Sequence, residues 1–320
     1  MHFPQQAYQH DSPDLASRQR VAQKRAAETV GWNDGRMAAD PRSLFPGKHF
    51  ISAILDALDT KTEMSGLIAR RYLMRAGMAG MLIGIFYVAN YTVMGAFAQV
   101  GGDGELTTIG RLAGALTFGW ALVFIYYTRS ELLTSNMMIV SIGHYYRRVS
   151  LGRSLRLLAM CLGGNFLGGL LVAVLLRFSS ILDGVTGDLA RLSVEHKLDY
   201  VTSLSGAGDL FVRAILCNFL INVAMLMVYN GYVKEDLTKS LVMIVAVALF
   251  AYLGFEHSVA NTVLFSIAGL DGGLGLGAGE VGLAAANVGI ALAGNFVGGG
   301  LLIGWYYAYC NDDRKYVASA

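Results

Sequence analysis

The second part of the chain is a succession of long apolar runs, and this feature restricts the available folds more than any other. The runs cover residues 73–99, 109–147, 155–178, 208–230, 238–269 and 284–310. The hydrocarbon core of a bilayer is crossed by roughly 20 apolar residues of helix. Charged residues make up 15% of the chain, against roughly 25% in soluble domains. We therefore predict an all-α integral membrane protein.

Two of the runs are too long for a single straight crossing, and each contains a polar cluster. The run at 109–147 contains Thr128-Arg129-Ser130-Glu131, and the run at 238–269 contains Gly254-Phe255-Glu256-His257. Non-helical backbone at membrane depth is tolerated where it is buried in protein or lines a cavity. We therefore predict six transmembrane helices, of which the second and fifth are interrupted beside a substrate path.

Charges and prolines divide the chain into segments. The first 75 residues hold 19 of the 48 charged residues, and all four prolines lie before residue 47. We predict a polar, flexible cytoplasmic tail at 1–49, and an amphipathic cytoplasmic helix with its connector at 50–71. A transmembrane pore domain at 72–310 and a second cytoplasmic tail at 311–320 complete the predicted organisation.

The composition disfavours several classes of protein. The net charge of +2 gives no reason to expect nucleic acid or another polyanion as a partner. The three cysteines lie far apart and lack the spacing of a disulfide framework or a zinc site. Neither a nucleophile–base pair nor a metal-ligand cluster is visible in the sequence. We expect neither an enzyme nor a protein with a cofactor or metal.

The charges of the predicted loops indicate the orientation in the lipid bilayer. Basic residues precede the first run and connect the second run to the third: Arg70, Arg71, Arg75, Arg147, Arg148, Arg153 and Arg156. Acidic residues dominate the opposite loops: Asp103, Glu105, Asp183, Asp188, Glu195, Asp199, Asp271 and Glu280. Because basic loops face the cytoplasm, we expect a multi-pass protein of the cell (inner) membrane with both termini cytoplasmic.

An internal repeat relates the two halves of the chain. Gly164-Asn165-Phe166-Leu167-Gly168-Gly169 returns 130 residues later as Gly294-Asn295-Phe296-Val297-Gly298-Gly299, and Glu131 and Glu256 lie 125 apart. Each half has three spans, and because three is odd the halves are inserted in opposite senses, as an inverted repeat. Glycine lets helix backbones approach closely, which does not explain the asparagine in each motif.

A few polar residues inside the apolar runs are candidates for function. His257 is ionisable, follows Glu256 in an interrupted run, and is of the type that exchanges protons near neutral pH. A hydrogen-bonded core histidine is the alternative. We expect Glu131 and Glu256 chiefly to accept hydrogen bonds from backbone amides freed at the breaks. Asn218 and Asn222 share one helix face, which packing between helices would also explain.

Several motifs resemble the signatures of the formate/nitrite transporter family. They are Glu131-Leu132-Leu133-Thr134-Ser135, the run Ala214–Leu220, the string Gly254–Asn261 and the two Gly-Asn-Phe motifs. They occur in the family's order between about residue 50 and residue 310. The resemblance implies an aquaporin-like six-helix protomer and a homopentamer with a pore in each protomer. It also implies transport of small monovalent anions such as formate, nitrite, hydrosulfide, acetate or lactate.

The same resemblance implies roles for individual residues. His257 matches the central pore histidine, and Lys197 matches a lysine of the outer vestibule. The other matched positions are the apolar constriction residues Phe118, Leu122 and Phe250, the loop residues Leu132, Leu133 and Thr134 that narrow the cytoplasmic side, and the polar lining or support residues Glu131, Asn218, Glu256 and Asn261.

The chain departs from the family pattern near the pore. Arg129 stands where the family usually has glycine, Leu133 where it has an aromatic residue or isoleucine, and Asn222 where it has cysteine. The proline often found after the fifth span's break is absent. Arg129 is expected either to pair with Glu131 or to draw anions inward. The family's substrate preference is therefore not carried over to this chain.

The resemblance and the apolar rings together predict a proton-coupled mechanism. A bare anion between apolar rings is strongly disfavoured, whereas the protonated acid crosses as a neutral molecule. We expect Lys197 and other donors to concentrate the anion, whose pKa then rises by desolvation in an apolar funnel. The proton comes from His257 or from water near it. In the alternative mechanism, protonated His257 is a fixed cation and the anion crosses with its charge.

Two other functions remain open at this point. An aquaporin-type channel for neutral solutes usually has paired Asn-Pro-Ala motifs, and no proline follows residue 46. A membrane sensor or scaffold would use the N-terminal tail to bind a cytosolic partner. Osmotic water flux distinguishes the first alternative, and deletion of residues 1–46 distinguishes the second.

Overall fold

The computed structural model describes residues 44–101, 105–271 and 276–317. Most of the predicted N-terminal tail (1–43), the acidic loop residue Asp103 and the last three residues of the chain lie outside these ranges. Helices account for 84% of the described residues, which contain no strand. The predicted all-α class is confirmed.

The helices follow one another with short connections. Their bounds are α1 Lys48–Leu67, α2 Ala69–Gly101, α3 Glu105–Tyr127, α4 Leu133–Tyr145, α5 Leu151–Arg177, α6 Val185–Asp199, α7 Leu204–Tyr229, α8 Asp236–Tyr252, α9 Ser258–Asp271 and α10 Val281–Asn295. A 3₁₀ turn, Tyr200–Thr202, separates α6 from α7. The helix of α10 continues through a π-helical segment, Phe296–Trp305, into α11, Tyr306–Cys310, and a short α12, Arg314–Val317, follows.

Among the described residues, five helices are long and apolar enough to cross a membrane. They are Ala69–Val100, Leu106–Tyr127, Leu151–Arg177, Leu204–Tyr229 and Val281–Cys310. Each overlaps a predicted apolar run. The remaining long run, 238–269, contains two shorter helices, α8 and α9. Likewise, the run at 109–147 contains α3 and α4 with five non-helical residues between them.

The amphipathic helix α1 packs its apolar face into the bundle. Phe50, Ile51, Ile54 and Leu58 are buried in the hydrophobic core. The polar face carries Asp59, which pairs with Arg148 of the connection between α4 and α5 at 2.8 Å. This pattern of one apolar and one charged face gives α1 a fixed position beside the basic connection.

Glycines form the closest helix crossings, one in each half. A Cβ atom on Gly168 of α5 would lie 1.8 Å from the carbonyl oxygen of Gly77 in α2. A Cβ atom on Gly298 would lie 2.1 Å from the carbonyl oxygen of Ile215 in α7. Both glycines belong to the repeated motif, 130 residues apart. The backbones therefore approach to a distance that excludes any larger residue.

The two ends of the bundle meet. The backbone N–H of Gly47 donates to Oδ1 of Asn311 at 2.7 Å, and Lys48 pairs with Asp313. The beginning of α1 and the end of α11 therefore lie on one side of the bundle, the side that also carries the connection between α4 and α5.

Replacing Gly168 with alanine tests the helix crossing. We expect Gly168→Ala to lower the stability by about 1–3 kcal/mol or more, because the new methyl group overlaps a backbone carbonyl that cannot move away cheaply. The measurement is the thermal unfolding midpoint and the yield of monodisperse protein in detergent. Gly163→Ala on the same helix is the control, since a Cβ atom there meets nothing within 4 Å. Equal midpoints for the two variants would contradict the close crossing.

Candidate functional site

The two predicted breaks have the same backbone geometry. The first lies between Tyr127 of α3 and Leu133 of α4, and the second between Tyr252 of α8 and Ser258 of α9. Each contains one residue in the left-handed region, Arg129 with φ 55° in the first and Gly254 with φ 69° in the second. These residues are 125 apart, as are Glu131 and Glu256. The breaks are therefore equivalent positions of the repeat.

The asparagine of each repeated motif binds the backbone of one break. Oδ1 of Asn165 accepts a hydrogen bond from the N–H of Leu133 at 3.1 Å. Nδ2 of Asn165 donates to the carbonyl oxygens of Glu131 and Ala76, each at 2.8 Å. Asn165 is fully buried. One carboxamide thus satisfies backbone groups on both sides of the gap where α4 begins.

Asn295 repeats this arrangement at the second break. Its Oδ1 accepts from the N–H of Ser258 at 2.8 Å. Its Nδ2 donates to the carbonyl oxygens of Glu256 at 3.0 Å and Ala214 at 2.8 Å. The sequence predicted that the glutamate side chains would satisfy the freed amides, whereas these amides at Leu133 and Ser258 are bound by asparagine. A carboxylate offers only acceptors, and each break presents both a donor and carbonyl acceptors.

The two glutamates are instead paired with lysine and asparagine side chains. Nζ of Lys197 lies 2.8 and 2.7 Å from the carboxylate oxygens of Glu256, and Nδ2 of Asn261 donates to the same carboxylate at 2.7 Å. In the first half, Glu131 pairs with Lys61 and accepts from Nδ2 of Asn136 at 3.2 Å.

Both carboxylates are buried, with 4% of Glu131 and 3% of Glu256 exposed. Lys197, expected in an outer vestibule, is itself buried against Glu256. Because each carboxylate has its own ammonium group, the two breaks carry no uncompensated negative charge. The repulsion that two bare carboxylates would exert on an anion is therefore removed.

Two large cavities adjoin the breaks. The first has a volume of about 480 Å³ and is bordered by Lys61, Arg75, Arg129 and Glu131; we call it the Glu131 vestibule. The second has a volume of about 430 Å³ and is bordered by Arg111, Lys197, Arg213, Glu256 and His257; we call it the Glu256 vestibule.

A small apolar cavity of about 20 Å³ connects the linings of the two vestibules. It shares Phe118, Phe250 and His257 with the Glu256 vestibule, and Leu122 and Leu132 with the Glu131 vestibule. The volume is close to the roughly 10–15 Å³ that a single water requires. Of the predicted constriction residues, Phe118, Leu122, Leu132 and Phe250 border this narrow apolar gap between the two wider cavities, whereas Leu133 and Thr134 do not line it.

Aromatic contacts shape the side of the gap that faces the Glu256 vestibule. The rings of Phe118 and Phe250 meet edge to face at a centroid distance of 6.0 Å. The imidazole of His257 stacks on Phe250 at 5.9 Å with an interplanar angle of 18°. Tyr87 lies 5.2 Å from Phe118. These contacts hold the rings in fixed orientations around the gap.

His257 has two hydrogen-bond partners and is 4% exposed. The N–H of Ala260 donates to its Nδ1 at 3.2 Å. Its Nε2 lies 3.1 Å from Oγ1 of Thr134, the residue predicted to narrow the other half of the path. Because a backbone N–H can only donate, Nδ1 is an acceptor, and the neutral imidazole with its proton on Nε2 satisfies both contacts.

Polar residues of α7 hold the start of α4 in place. Nδ2 of Asn218 donates to the carbonyl oxygens of Thr134 at 3.2 Å and Asn295 at 2.7 Å. Nδ2 of Asn222 donates to Oδ1 of Asn218 at 2.8 Å. Leu133 is buried at the first turn of α4. Asn218 thus connects the backbone of Thr134 in the first half to the backbone of Asn295 in the second half.

Comparison with known proteins identifies the family. A family model described as formate/nitrite transporter matches residues 48–309. The chain belongs to this family. The resemblance noted in the sequence is confirmed.

Curated relatives of this transporter family come from diverse organisms. An uncharacterized transporter, YwcJ, of Bacillus subtilis is 28% identical over 76% of this chain and 90% of its own length. The formate channel FocA of Haemophilus influenzae is 30% identical over 58% of this chain and 61% of its own length. Formate-nitrite transporter 2 of Toxoplasma gondii is 33% identical over 79% of this chain and 53% of its own length.

Solved structures share the fold. An FNT family ion channel superimposes with a TM-score of 0.71 at 24% identity, covering 83% of this chain and 100% of that chain. A pentameric formate channel with formate bound superimposes with a TM-score of 0.56 at 24% identity, covering 75% of this chain and 96% of that chain. The chain therefore has the channel fold of the formate/nitrite transporter family.

Sequence reasoning missed several members of the buried polar clusters in this transporter. Lys61 of α1 was assigned no partner, and Tyr72 and Asn287 were not singled out. Nδ2 of Asn136 donates to the hydroxyl of Tyr72 at 3.0 Å, and Nδ2 of Asn261 donates to Oδ1 of Asn287 at 2.8 Å. The repeat contains a usable signal, because Asn136 and Asn261 lie 125 apart, as the two glutamates do.

Removing one partner of the buried ion pair tests its role. We expect Lys197→Met to lower stability by about 3–5 kcal/mol, because it leaves the carboxylate of Glu256 buried without a countercharge. Adding Glu256→Gln removes that charge and should restore most of the loss. The measurement is the unfolding midpoint in detergent.

Lys239→Met is the matched control for that experiment. Lys239 pairs with Asp236 at 3.1 Å, and the side chain of Asp236 is 75% exposed. Exposed pairs contribute about 0–1 kcal/mol. A Lys197→Met variant that is as stable as Lys239→Met, or a double variant that is no better than the single one, would contradict the buried-pair interpretation.

Proposed function

We propose that this protein transports small monovalent anions of weak acids, such as formate, nitrite, a similar monocarboxylate or hydrosulfide, across the cell (inner) membrane. The observation that carries the proposal is the sequence of spaces in one protomer. Two polar, cation-lined vestibules flank an apolar gap of about 20 Å³ that includes His257 and two phenylalanines. Membership of a transporter family and the relatives named as formate channel and nitrite transporter support an anion as substrate.

We further propose that the pore domain, residues 72–310, crosses the bilayer six times as an aquaporin-like inverted repeat. The five long apolar helices are five of the crossings, with α3 and α4 forming one interrupted crossing and α8 and α9 the sixth. The equal offsets of 125 between the breaks and of 130 between the bridging asparagines support the repeat. Residues 50–71 form the amphipathic helix and connector, with cytoplasmic tails at 1–49 and 311–320.

The orientation follows from the basic connection. Arg147, Arg148, Arg153 and Arg156 lie between α4 and α5, on the side where Gly47 meets Asn311. Basic loops favour the cytoplasm, so both termini and the Glu131 vestibule face the cytoplasm. The Glu256 vestibule then opens to the outside.

The homopentamer is part of the same proposal. A neighbour in structure is described as a pentameric formate channel. Large apolar side chains such as Trp120, Phe124, Leu175 and Phe178 are exposed on the outside of the protomer. Lipid and adjacent protomers are the partners that such a surface requires in a membrane.

The apolar gap favours transport of the neutral acid. An anion entering it would lose its hydration with few polar groups to replace water, which is strongly unfavourable. The same loss of hydration raises the pKa of the entering acid, so a proton binds where the vestibule narrows. The acid then crosses the gap as a neutral molecule and releases its proton in the opposite vestibule. Transport of the anion is thereby coupled to a proton.

The hydrogen bonds of His257 favour water over the imidazole as the source of that proton. To give up the proton on Nε2, the neutral imidazole must gain another on Nδ1, which already accepts the N–H of Ala260. Protonation of Nδ1 would place two N–H groups against each other. His257 then serves as a neutral hydrogen-bond donor that, with Thr134, receives the acid in the apolar gap.

Uptake by reconstituted protein tests the function. We expect proteoliposomes to take up formate and nitrite faster than protein-free vesicles, and faster at the lower of two external pH values, because more acid is then protonated. The assay compares formate, nitrite, hydrosulfide, acetate, lactate and bicarbonate. Osmotic water flux without anion uptake would contradict the proposal in favour of an aquaporin-type channel.

Replacing His257 with asparagine tests the source of the proton. Asparagine keeps a polar donor and removes the titratable group. We expect His257→Asn to transport more slowly and to keep its acceleration at low external pH. His144→Asn, at an exposed histidine near the end of α4, is the control and should match wild type. A pH dependence that disappears only in His257→Asn would instead assign the proton transfer to the imidazole.

A further inference from the structure

Arg129 occupies a backbone position that disfavours it. Its φ of 55° lies in the left-handed region, where a side chain meets the backbone and glycine is preferred. The equivalent residue of the other half, 125 positions later, is Gly254 with φ 69°. The fold therefore requires the left-handed conformation at both breaks. In the second break glycine, Gly254, occupies this position. The presence of arginine at the other break is unexplained by the backbone.

The guanidinium group of Arg129 is not used in the packing of the protomer. Arg129 is exposed, borders the Glu131 vestibule, and makes no side-chain hydrogen bond or ion pair with the residues that the structure describes. The sequence left open a pair with Glu131, but that carboxylate is bound by Lys61 and Asn136. The other carboxylate of the vestibule, Asp236, pairs with Lys239.

The charge of the vestibule is therefore unbalanced. Its lining contains four cationic side chains and two carboxylates: Lys61, Arg75, Arg129, Lys239, Glu131 and Asp236. Both carboxylates form ion pairs, Glu131 with Lys61 and Asp236 with Lys239. Arg75 contacts the sulfur of Met64 at 3.6 Å and has no carboxylate partner among the described residues. Two guanidinium groups thus remain available to an anion.

The other vestibule differs at the equivalent position. Gly254 has no side chain, and the nearby guanidinium of Arg213 is bound to Asp209 at 2.9 Å and to the carbonyl oxygen of Gly254 at 3.1 Å. Arg111 lies over the ring of Tyr252 and contacts its carbonyl oxygen. The breaks are alike in backbone and hydrogen bonds, whereas a free guanidinium at the break is found only in the first of these two breaks.

We propose that Arg129 is a specificity-determining residue that captures planar anions with two oxygen atoms in the Glu131 vestibule. This inference rests on the proposed transport of small anions. The guanidinium plane presents two parallel N–H groups that match the two oxygens of a carboxylate or of nitrite. Chloride or hydrosulfide offers only one acceptor atom, so both N–H groups must converge on it with bent rather than parallel hydrogen bonds, which are weaker. Arg129 therefore favours formate-like anions over hydrosulfide on this side of the protein.

Three variants separate the side chain's role from that of the backbone. Arg129→Gly removes the guanidinium and relieves the backbone at once, and Arg129→Lys keeps the charge without the paired N–H groups. Arg147→Gly is the matched control, because Arg147 also has a left-handed φ, 56°, and lies in the connection outside the vestibule. We expect both glycine variants to melt at or above the wild-type temperature, since both relieve an unfavourable conformation.

Transport is measured in oriented proteoliposomes with the anion supplied on one side at a time. For Arg129→Gly we expect the half-saturating concentration of formate and nitrite on the Glu131 side to rise about fivefold, as loss of a charged paired contact predicts. Half-saturation by hydrosulfide on that side, and by formate on the opposite side, should change by less than about twofold. Arg129→Lys should fall between wild type and Arg129→Gly for formate, and Arg147→Gly should match wild type.

Each contrary result is specific. Unchanged half-saturation for formate in Arg129→Gly would overturn the capture role while leaving the proposed transport intact. An equal rise for hydrosulfide would overturn the selectivity for two-oxygen anions. A lower melting temperature in Arg129→Gly but not in Arg147→Gly would mean that the guanidinium is structural. A wild-type protein that carries no anion would overturn the proposed function itself, and this inference with it.

Discussion

The fold depends on two asparagine side chains that replace the backbone hydrogen bonds lost where helices stop inside an apolar bundle. A bilayer supplies no water to a freed N–H or C=O group, and each unsatisfied group costs several kcal/mol. Asn165 and Asn295 each bind one amide and one carbonyl oxygen of a break, together with one carbonyl oxygen of an adjacent helix. A carboxamide suits this task because it is both donor and acceptor. Without it, a break beside the pore would be too costly to keep.

The charged groups follow from the breaks. A helix that ends early allows a polar side chain to enter the bundle, and Glu131 and Glu256 each lie two positions after the left-handed residue of their break. Each needs a countercharge, because a single buried ion is far less favourable than a pair with additional hydrogen bonds. Lys61 and Lys197 supply it from elements outside the interrupted helices. Each vestibule is thereby bordered by an ion pair rather than by a bare carboxylate.

The sequence predicted the apolar runs, both breaks and the repeat, because charge, hydropathy and spacing are local properties. The constriction residues were named through a family resemblance, whereas His257 had already been singled out as an ionisable residue in an interrupted run. The structure brings Phe118, Leu122 and Phe250 around one gap with that histidine. The pairing of Lys61 with Glu131 was not predictable in this way. The two residues are 70 positions apart in different helices, and nothing near Lys61 distinguishes it from an ordinary charge on an amphipathic helix. Contacts of this kind depend on how helices pack.

The proposed inverted repeat bears on where the proposed selectivity between anions arises. The hydrogen bonds and ion pairs at the two breaks are equivalent. The apolar gap is therefore flanked by similar polar groups on both sides. The vestibules have volumes of about 480 and 430 Å³, whereas the gap between them has room for little more than one water molecule. A solute therefore loses its hydration over a short distance only, within the apolar gap. Few polar groups border the gap that could distinguish one small acid from another. In the proposed mechanism, discrimination between anions therefore falls to vestibule side chains that differ between the two halves. Arg129, whose equivalent in the second half is Gly254, is such a position.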